Sequence, residues 1–229
     1  LLYPADSPLA SGKVEMKYMT AKEEDILTNP NYLTKGIVVD KLLQSLIITK
    51  VDYNELLAGD QNAVMIAARI LGYGKDYEFS YRGIPQVIDL TTLEDKAFDE
   101  TLIQPNINEF QYTLPHSKIA VTFKVLTVGD ASKIKRELDG LKRINKDSSS
   151  EMSTRLKHTI VAVNGDREIG TVRNFVDTSL LARDARALRT YINEIQPDIN
   201  LTVTVETSSG EEDITLPITT NFFWPDSAA

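Results

Sequence analysis

Leu201-Thr-Val-Thr-Val-Glu-Thr-Ser-Ser-Gly-Glu-Glu-Asp-Ile-Thr-Leu-Pro-Ile218 is the stretch on which the fold assignment turns. Leu201, Val203 and Val205 alternate with polar residues, so one face of an extended strand is apolar and the other is wet. Ser208-Ser-Gly210 supplies a turn, after which Ile214, Leu216 and Ile218 alternate back. This is an antiparallel hairpin, and it closes the chain. The residues before it carry a different period. From about Val172 to just before Pro197 the pattern is helical, as one helix or as two with a kink near Ser179.

Working outward, the same switch of period recurs. Tyr77, Phe79 and Tyr81 alternate, Arg82-Gly83 turns, and Val87, Ile88 and Leu90 return, with Pro85 placing the return strand at an edge. Residues 109–114 and 118–126 form another hairpin around Pro115-His116-Ser117, and the polar residues 89–108 between the hairpins read as loop with one short helical turn. Residues 12–19 alternate as an N-terminal strand. Thr20-Ala-Lys-Glu23 is a capping box that opens a short helix ending near Asn29-Pro30. Val38, Leu42, Leu43 and Leu46 mark an amphipathic helix, Asp52 caps a brief turn, and Asp60 opens a helix with Val64, Ala67, Ala68 and Leu71 as its core stripe. Gly72 and Gly74 end it. Ile134, Leu138 and Leu141 define a helix opened by Asp130, and residues 152–163 read as the next one. Asn164-Gly165-Asp166 is a tight turn.

Segregated helices and hairpins of this kind favour an α+β fold over a βαβ parallel sheet. The reading is an N-terminal strand and helices, central β-hairpins, and C-terminal helices closed by a β-hairpin. A soft boundary near Thr127-Val-Gly129 suggests three parts: residues 1–128, residues 129–220, and an aromatic tail, 221–229.

Composition excludes much. The chain has 229 residues, net charge −8, no Cys and two His. A chain of this length buries roughly 70% of its unfolded surface. Without Cys there are no disulfides, thiolate nucleophiles or Cys-based metal sites. The acidic balance disfavours nucleic acid as a partner. No apolar run approaches the roughly 18–20 residues of a membrane span. Leu1-Leu-Tyr-Pro-Ala-Asp6 does not read as a signal peptide, and the missing initiator Met reads as a start inside a longer chain.

Candidate chemistry is sparse. His116 lies in a turn and His158 on a helix, neither with a second ligand at metal spacing. No phosphate loop or GxSxG elbow occurs. Glu23-Glu-Asp25 suits a helix N-terminus and Glu211-Glu-Asp213 a solvated hairpin tip. The basic run 133–146 contains Glu137 and Asp139 at helical spacing, so intrahelical ion pairs account for much of it. Arg183, Arg186 and Arg189 fall three apart as a stripe, with Asp184 on another side: either a solvated face or an ion-pairing protein interface. Phe222, Phe223 and Trp224, followed by Pro225, stand out in a chain that is 7% aromatic. They are core if the tail packs back and partner anchors if it extends.

Several stretches together resemble the baseplate hub proteins of T4-like contractile-tailed phages. They are Val14-Glu-Met-Lys-Tyr-Met-Thr-Ala-Lys-Glu-Glu-Asp-Ile-Leu27, the helix at 35–46, Ala63 to Gly74, Leu138-Asp-Gly-Leu-Lys-Arg-Ile-Asn145, Leu180-Leu-Ala-Arg-Asp-Ala-Arg-Ala-Leu-Arg189 and the final Phe-Phe-Trp-Pro. The resemblance implies a non-enzymatic structural component of the virion tail baseplate, assembled in the host cytoplasm. It implies other baseplate and hub proteins as partners, several copies in a symmetric assembly, and no cofactor, nucleic acid or membrane span. A number of relatives carry Cys-x-x-Cys pairs where this chain has Ser80-Tyr-Arg-Gly83, so a metal knuckle is not inherited. Docking through Phe222 to Trp224 and the three arginines is the mechanism this reading expects. An assembly chaperone absent from the virion, and an enzyme with a spatially assembled carboxylate site, are its rivals.

Overall fold

The computed structural model describes residues 2–97, 99–144, 150–218 and 222–223. In chain order the elements among them are α1 (Ala21–Leu27), α2 (Pro30–Lys35), α3 (Val38–Leu46), α4 (Ala58–Tyr73), β1 (Asp76–Tyr81), β2 (Ile84–Asp89), β3 (Phe110–Thr113), β4 (Ala120–Phe123), α5 (Val128–Ile144), α6 (Glu151–Thr159), β5 (Ile160–Val163), α7 (Ile169–Thr178), α8 (Ala182–Ile195), β6 (Thr202–Thr207) and β7 (Gly210–Thr215). The strands pair only antiparallel, as β1–β2, β3–β4–β5 and β6–β7. The fold is α+β.

Contacts divide the chain into two compact units assembled from interleaved segments. The first holds Leu1–Lys13, Val51–Ala58 and Phe98–Gln196; the second holds Val14–Lys50, Gly59–Ala97 and Pro197–Ala229. The division expected near residue 128 is therefore not where the contacts divide. Composition along the chain reports local period, whereas cores form between segments far apart in sequence.

The second unit is built on leucines and two hairpins. Leu42, Leu43 and Leu46 of α3 are fully buried. The alternating residues 12–19 make a single bridge, Met16 to Ile47, rather than a strand, because their partner is the end of α3. Glu23 closes the predicted cap: its carboxylate accepts from the Thr20 amide at 3.0 Å, the Thr20 hydroxyl at 2.6 Å and Lys17 Nζ at 2.7 Å. Those bonds, led by Lys17, bring its pKa down to about 2. Pro30 does end α1, but it also opens α2, since the amide it lacks has no helical partner at the first position. The Asn29 side chain caps that start, accepting from the Asn31 amide at 3.0 Å.

In α4 the buried residues include Val64, Ile66, Ala68 and, against expectation, Arg69. The Arg69 guanidinium donates to the carbonyls of Gly74 at 3.2 Å and Asp76 at 3.3 Å. It also lies 5.2 Å from the Tyr73 ring centre and 5.8 Å from that of Tyr77. Burial pushes its pKa down. Arg82 (φ 50°) and Gly83 (φ 80°) form the β1–β2 turn, both in the left-handed region that type I′ hairpins require. The two hairpins are tied by Gln86, whose side chain donates to the Glu206 carbonyl at 2.8 Å and accepts from its amide at 3.1 Å.

The first unit centres on the β3–β4–β5 sheet. Residues 152–163, read as one helix, are α6 followed by β5: the Ile160-Val-Ala-Val163 run pairs with β4, Val121 opposite Val163 and Phe123 opposite Ile160. Helical spacing persists up to Thr159, and only the sheet edge offered by β4 reveals the change. Asn164 (φ 49°) and Gly165 (φ 84°) form the predicted tight turn. The helical stretch before Pro197 is two helices, α7 and α8, and α7 ends at Ser179.

Gly59 approaches another segment of the second unit so closely that a Cβ there would lie 2.0 Å from the Pro197 carbonyl oxygen. Gly59→Ala therefore lowers unfolding free energy by about 1–3 kcal/mol or more, as forced backbone displacement does. Gly140→Ala, in the exposed face of α5 with open space around it, raises it by about 0.5–1 kcal/mol. Urea midpoints of the two variants measure both signs.

Candidate functional site

The helix α8 presents two faces of opposite character. Asp184, Ala185, Leu188 and Ile195 are buried. Arg183 and Arg186 are exposed and Arg189 is half-buried. Three contacts fix this rotation. The Asp184 carboxylate, fully buried, accepts the backbone amides of His116 and Ser117 at 2.9 Å each, in the turn between β3 and β4. Tyr191 stacks on Tyr112 with ring centres 4.6 Å apart and meets Phe123 edge-on at 5.9 Å. Burial alone would raise the Asp184 pKa, but the two amides outweigh it and hold the carboxyl below its usual range.

Among the described residues Arg183, Arg186 and Arg189 have no hydrogen-bonded or ionic side-chain partner. Other arginines of this acidic chain do. Arg82 engages Glu212, Arg167 engages Glu109 and Arg173 engages Glu137, each through two nitrogens. The α8 stripe is thus set apart by its open donors rather than by charge alone.

Arg189 also reaches the wall of a cavity of about 180 Å³. Arg155 of α6 and Lys124, just after β4, share that wall, and Leu126, Leu156 and Ile192 supply its apolar part. Among the described residues no carboxylate lines it. Lys124 is held by Asp130 at 2.7 Å, whereas Arg155, like Arg189, has no ionic partner among the described residues. Neither Arg155 nor Lys124 stood out in the sequence. Their convergence on Arg189 depends on α6, β4 and α8 meeting in space, which no linear spacing records.

A larger groove of about 720 Å³ carries charges of both signs, Asp52, Glu55 and Asp130 against Lys124, Lys133 and Arg136. Burial works to raise the Asp130 pKa, but Lys124 and the Thr127 amide bring it below its usual value. A carboxyl held in its ionised form is not a general acid near neutrality. Glu137 does not pair within α5 as its spacing suggests. It reaches across to Arg173 of α7 at 2.8 Å through both oxygens and to His158 Nε2 of α6 at 2.9 Å. Arg173 leads in lowering its pKa to about 2. His158 is accordingly half-buried rather than a free surface group, and His116 is an exposed turn residue. Among the described residues no group of three or more His, Asp or Glu side chains is placed to hold a metal ion. Nor is any helix among them long and apolar enough to cross a membrane.

Of the aromatic tail, Phe222 and Phe223 take the packed-back alternative. Phe222 and Phe223 are 0% and 2% exposed, so they are core of the second unit and not projecting anchors. Phe222 meets Tyr77 edge-on at 5.0 Å, and Phe223 meets Phe222 at 5.1 Å. Large rings gain more from this burial than from solvent exposure. Trp224 and Pro225 lie outside the described residues. The arginines and the phenylalanines belong to different units.

Compared with known proteins, the chain matches no family model, no curated protein and no solved structure.

Two substitutions test the electrostatic frame around α8. Asp184→Asn removes the charged acceptor of two amides and lowers the melting temperature by several degrees at pH 7. The folded-state pKa of Asp184 is depressed, so its contribution is present above the ordinary carboxylate range and is lost as pH falls through the folded value. The variant therefore loses this part of the acid dependence, and melting curves from pH 7 to pH 2 measure it. Glu137→Gln behaves alike: the stability that Glu137 adds is full above its ordinary 4.5 and disappears as pH falls towards about 2. Charge-assisted bonds of this kind are worth about 1.5–3 kcal/mol.

Proposed function

We propose that this chain is a structural component of the baseplate hub of a contractile phage tail, and that it acts by docking onto other baseplate proteins. The collinear resemblance of its segments to that family motivates the assignment. The observation that carries the docking mode is the arginine face of α8: Arg183 and Arg186 are exposed, and neither they nor Arg189 has an ionic partner among the described residues. Arginine is enriched at protein interfaces because its planar fork engages carboxylates in two places at once and sheds water more easily than an ammonium does. The partner surface this face suits is acidic and proteinaceous. With net charge −8, the chain as a whole repels phosphate backbones.

The revised mechanism places the polar contacts on α8 and leaves Phe222 and Phe223 to hold the second unit together. Neighbours in a symmetric, multi-copy baseplate would meet the same stripe repeatedly. No cofactor enters this reading.

Co-expression with the tail proteins of the same phage, followed by affinity capture, tests it. The wild-type chain is expected to capture hub proteins. Arg183→Glu combined with Arg186→Glu should weaken capture at least about tenfold, as reversing interfacial charges does, while circular dichroism stays unchanged. Capture unaffected by the double substitution overturns the role of α8, and no capture of any tail protein overturns the hub assignment. Mass spectrometry of purified virions is expected to find the chain; finding it only in assembly intermediates would make it an assembly chaperone instead.

A further inference from the structure

The cavity beneath α8 has a composition that the docking surface alone does not explain. Among the described residues its wall carries three cations, Lys124, Arg155 and Arg189, and no acid. Lys124 is already neutralised by Asp130 at 2.7 Å. Two guanidiniums are left, from α6 and α8, with no ionic partner among the described residues. Leu126, Leu156 and Ile192 supply its apolar part, and Thr159, Asn193 and Gln196 add uncharged polar groups. Two cations that line one cavity attract an anion there more strongly than either does alone.

Size narrows the anion. About 180 Å³ is well below the roughly 300–1,000 Å³ of sites that enclose whole small-molecule ligands. It is the scale of one side chain. A carboxylate on a short methylene stem matches both halves of the wall, since its oxygens suit the guanidinium forks and its stem suits the leucines. Arginine forks are geometric partners of planar carboxylates, and the chain itself uses that pairing at Arg82, Arg167 and Arg173.

We propose that this cavity is a socket for a single glutamate side chain presented by a partner protein, with Arg155 and Arg189 as its binding residues. The proposal rests on the docking reading above and deepens it. Arg183 and Arg186 supply an open polar face, and the cavity that Arg189 lines supplies a point of insertion. Met152, 61% exposed and also lining the cavity, gives an adaptable apolar contact for residues flanking that glutamate.

The test uses the purified chain and a blocked glutamate, N-acetyl-glutamate N-methylamide, followed through the arginine Nε–H resonances by NMR. Saturable shifts at Arg155 and Arg189 are expected, with a Kd on the order of 1–10 mM for so small a probe. The blocked glutamine analogue should bind at least about tenfold more weakly, because it lacks the charge that makes these bonds strong. Arg155→Gln, on an exposed side chain of α6, should weaken binding by a similar factor with the melting temperature unchanged. Equal shifts with the glutamine analogue, or no saturable shift at either arginine, overturn the socket. Tighter binding of inorganic phosphate than of the blocked glutamate overturns it in favour of a phosphoryl ligand. Hub capture decides the other question separately: capture without glutamate binding removes the socket and leaves docking, and glutamate binding without hub capture leaves a carboxylate socket whose partner lies outside the baseplate.

Discussion

A carboxylate taken wholly out of water governs the first unit. Asp184 is fully buried, and an isolated charge there would be strongly disfavoured. It is tolerated because two amides of the β3–β4 turn, His116 and Ser117, point at it from 2.9 Å. The same bonds satisfy backbone donors that the tight turn leaves without ladder partners. Asp184 thus ties the turn to α8 and, with the ring contacts of Tyr191, fixes the rotation of the helix. Once Asp184 faces inward, the neighbouring arginines fall on outer positions of the helix. The open cationic face follows from how the acid is buried.

The second unit solves its polar problem differently. Its buried cation, Arg69, has no carboxylate partner among the described residues; two carbonyls and two aromatic rings take its charge. Those carbonyls belong to Gly74 and Asp76, so the guanidinium fastens the end of α4 to the start of β1. Tyr77, one of the two rings, is also the residue on which Phe222 packs, and its hydroxyl donates to the Pro217 carbonyl at 2.8 Å. Helix end, first hairpin and Phe222 therefore share one aromatic centre. The terminal phenylalanines are anchors of the fold itself.

What was legible in the sequence was local. Arg82-Gly83, Asn164-Gly165, Thr20 with Glu23, and the alternation in 201–218 specify turns, caps and strands through chemistry spanning a few residues. Ile160 to Val163 were not legible, since four apolar residues after a helix fit either period until β4 is there to pair with them. Glu137 was misjudged for a related reason. Its spacing offered partners within α5, and the folded chain offered Arg173, a two-pronged partner from another helix. The arginine stripe was readable from its spacing alone. The cavity was not, because Arg155 and Arg189 lie on different helices that come to one cavity only in the folded chain.

Charge placement connects these observations. An acidic chain has more than enough carboxylates to neutralise its cations, and Arg82, Arg167 and Arg173 are neutralised in this way. Solvation alone accounts for the exposed Arg183 and Arg186, which lie in high dielectric at little cost. It accounts less well for Arg189, which is half-buried beside apolar residues and near the second cation, Arg155. Among the described residues no acid shares that wall, which leaves room for a neutralising group from elsewhere. Where Arg189 and Arg155 line one cavity with Leu126 and Leu156, the group that fits least expensively carries its own charge and its own apolar stem.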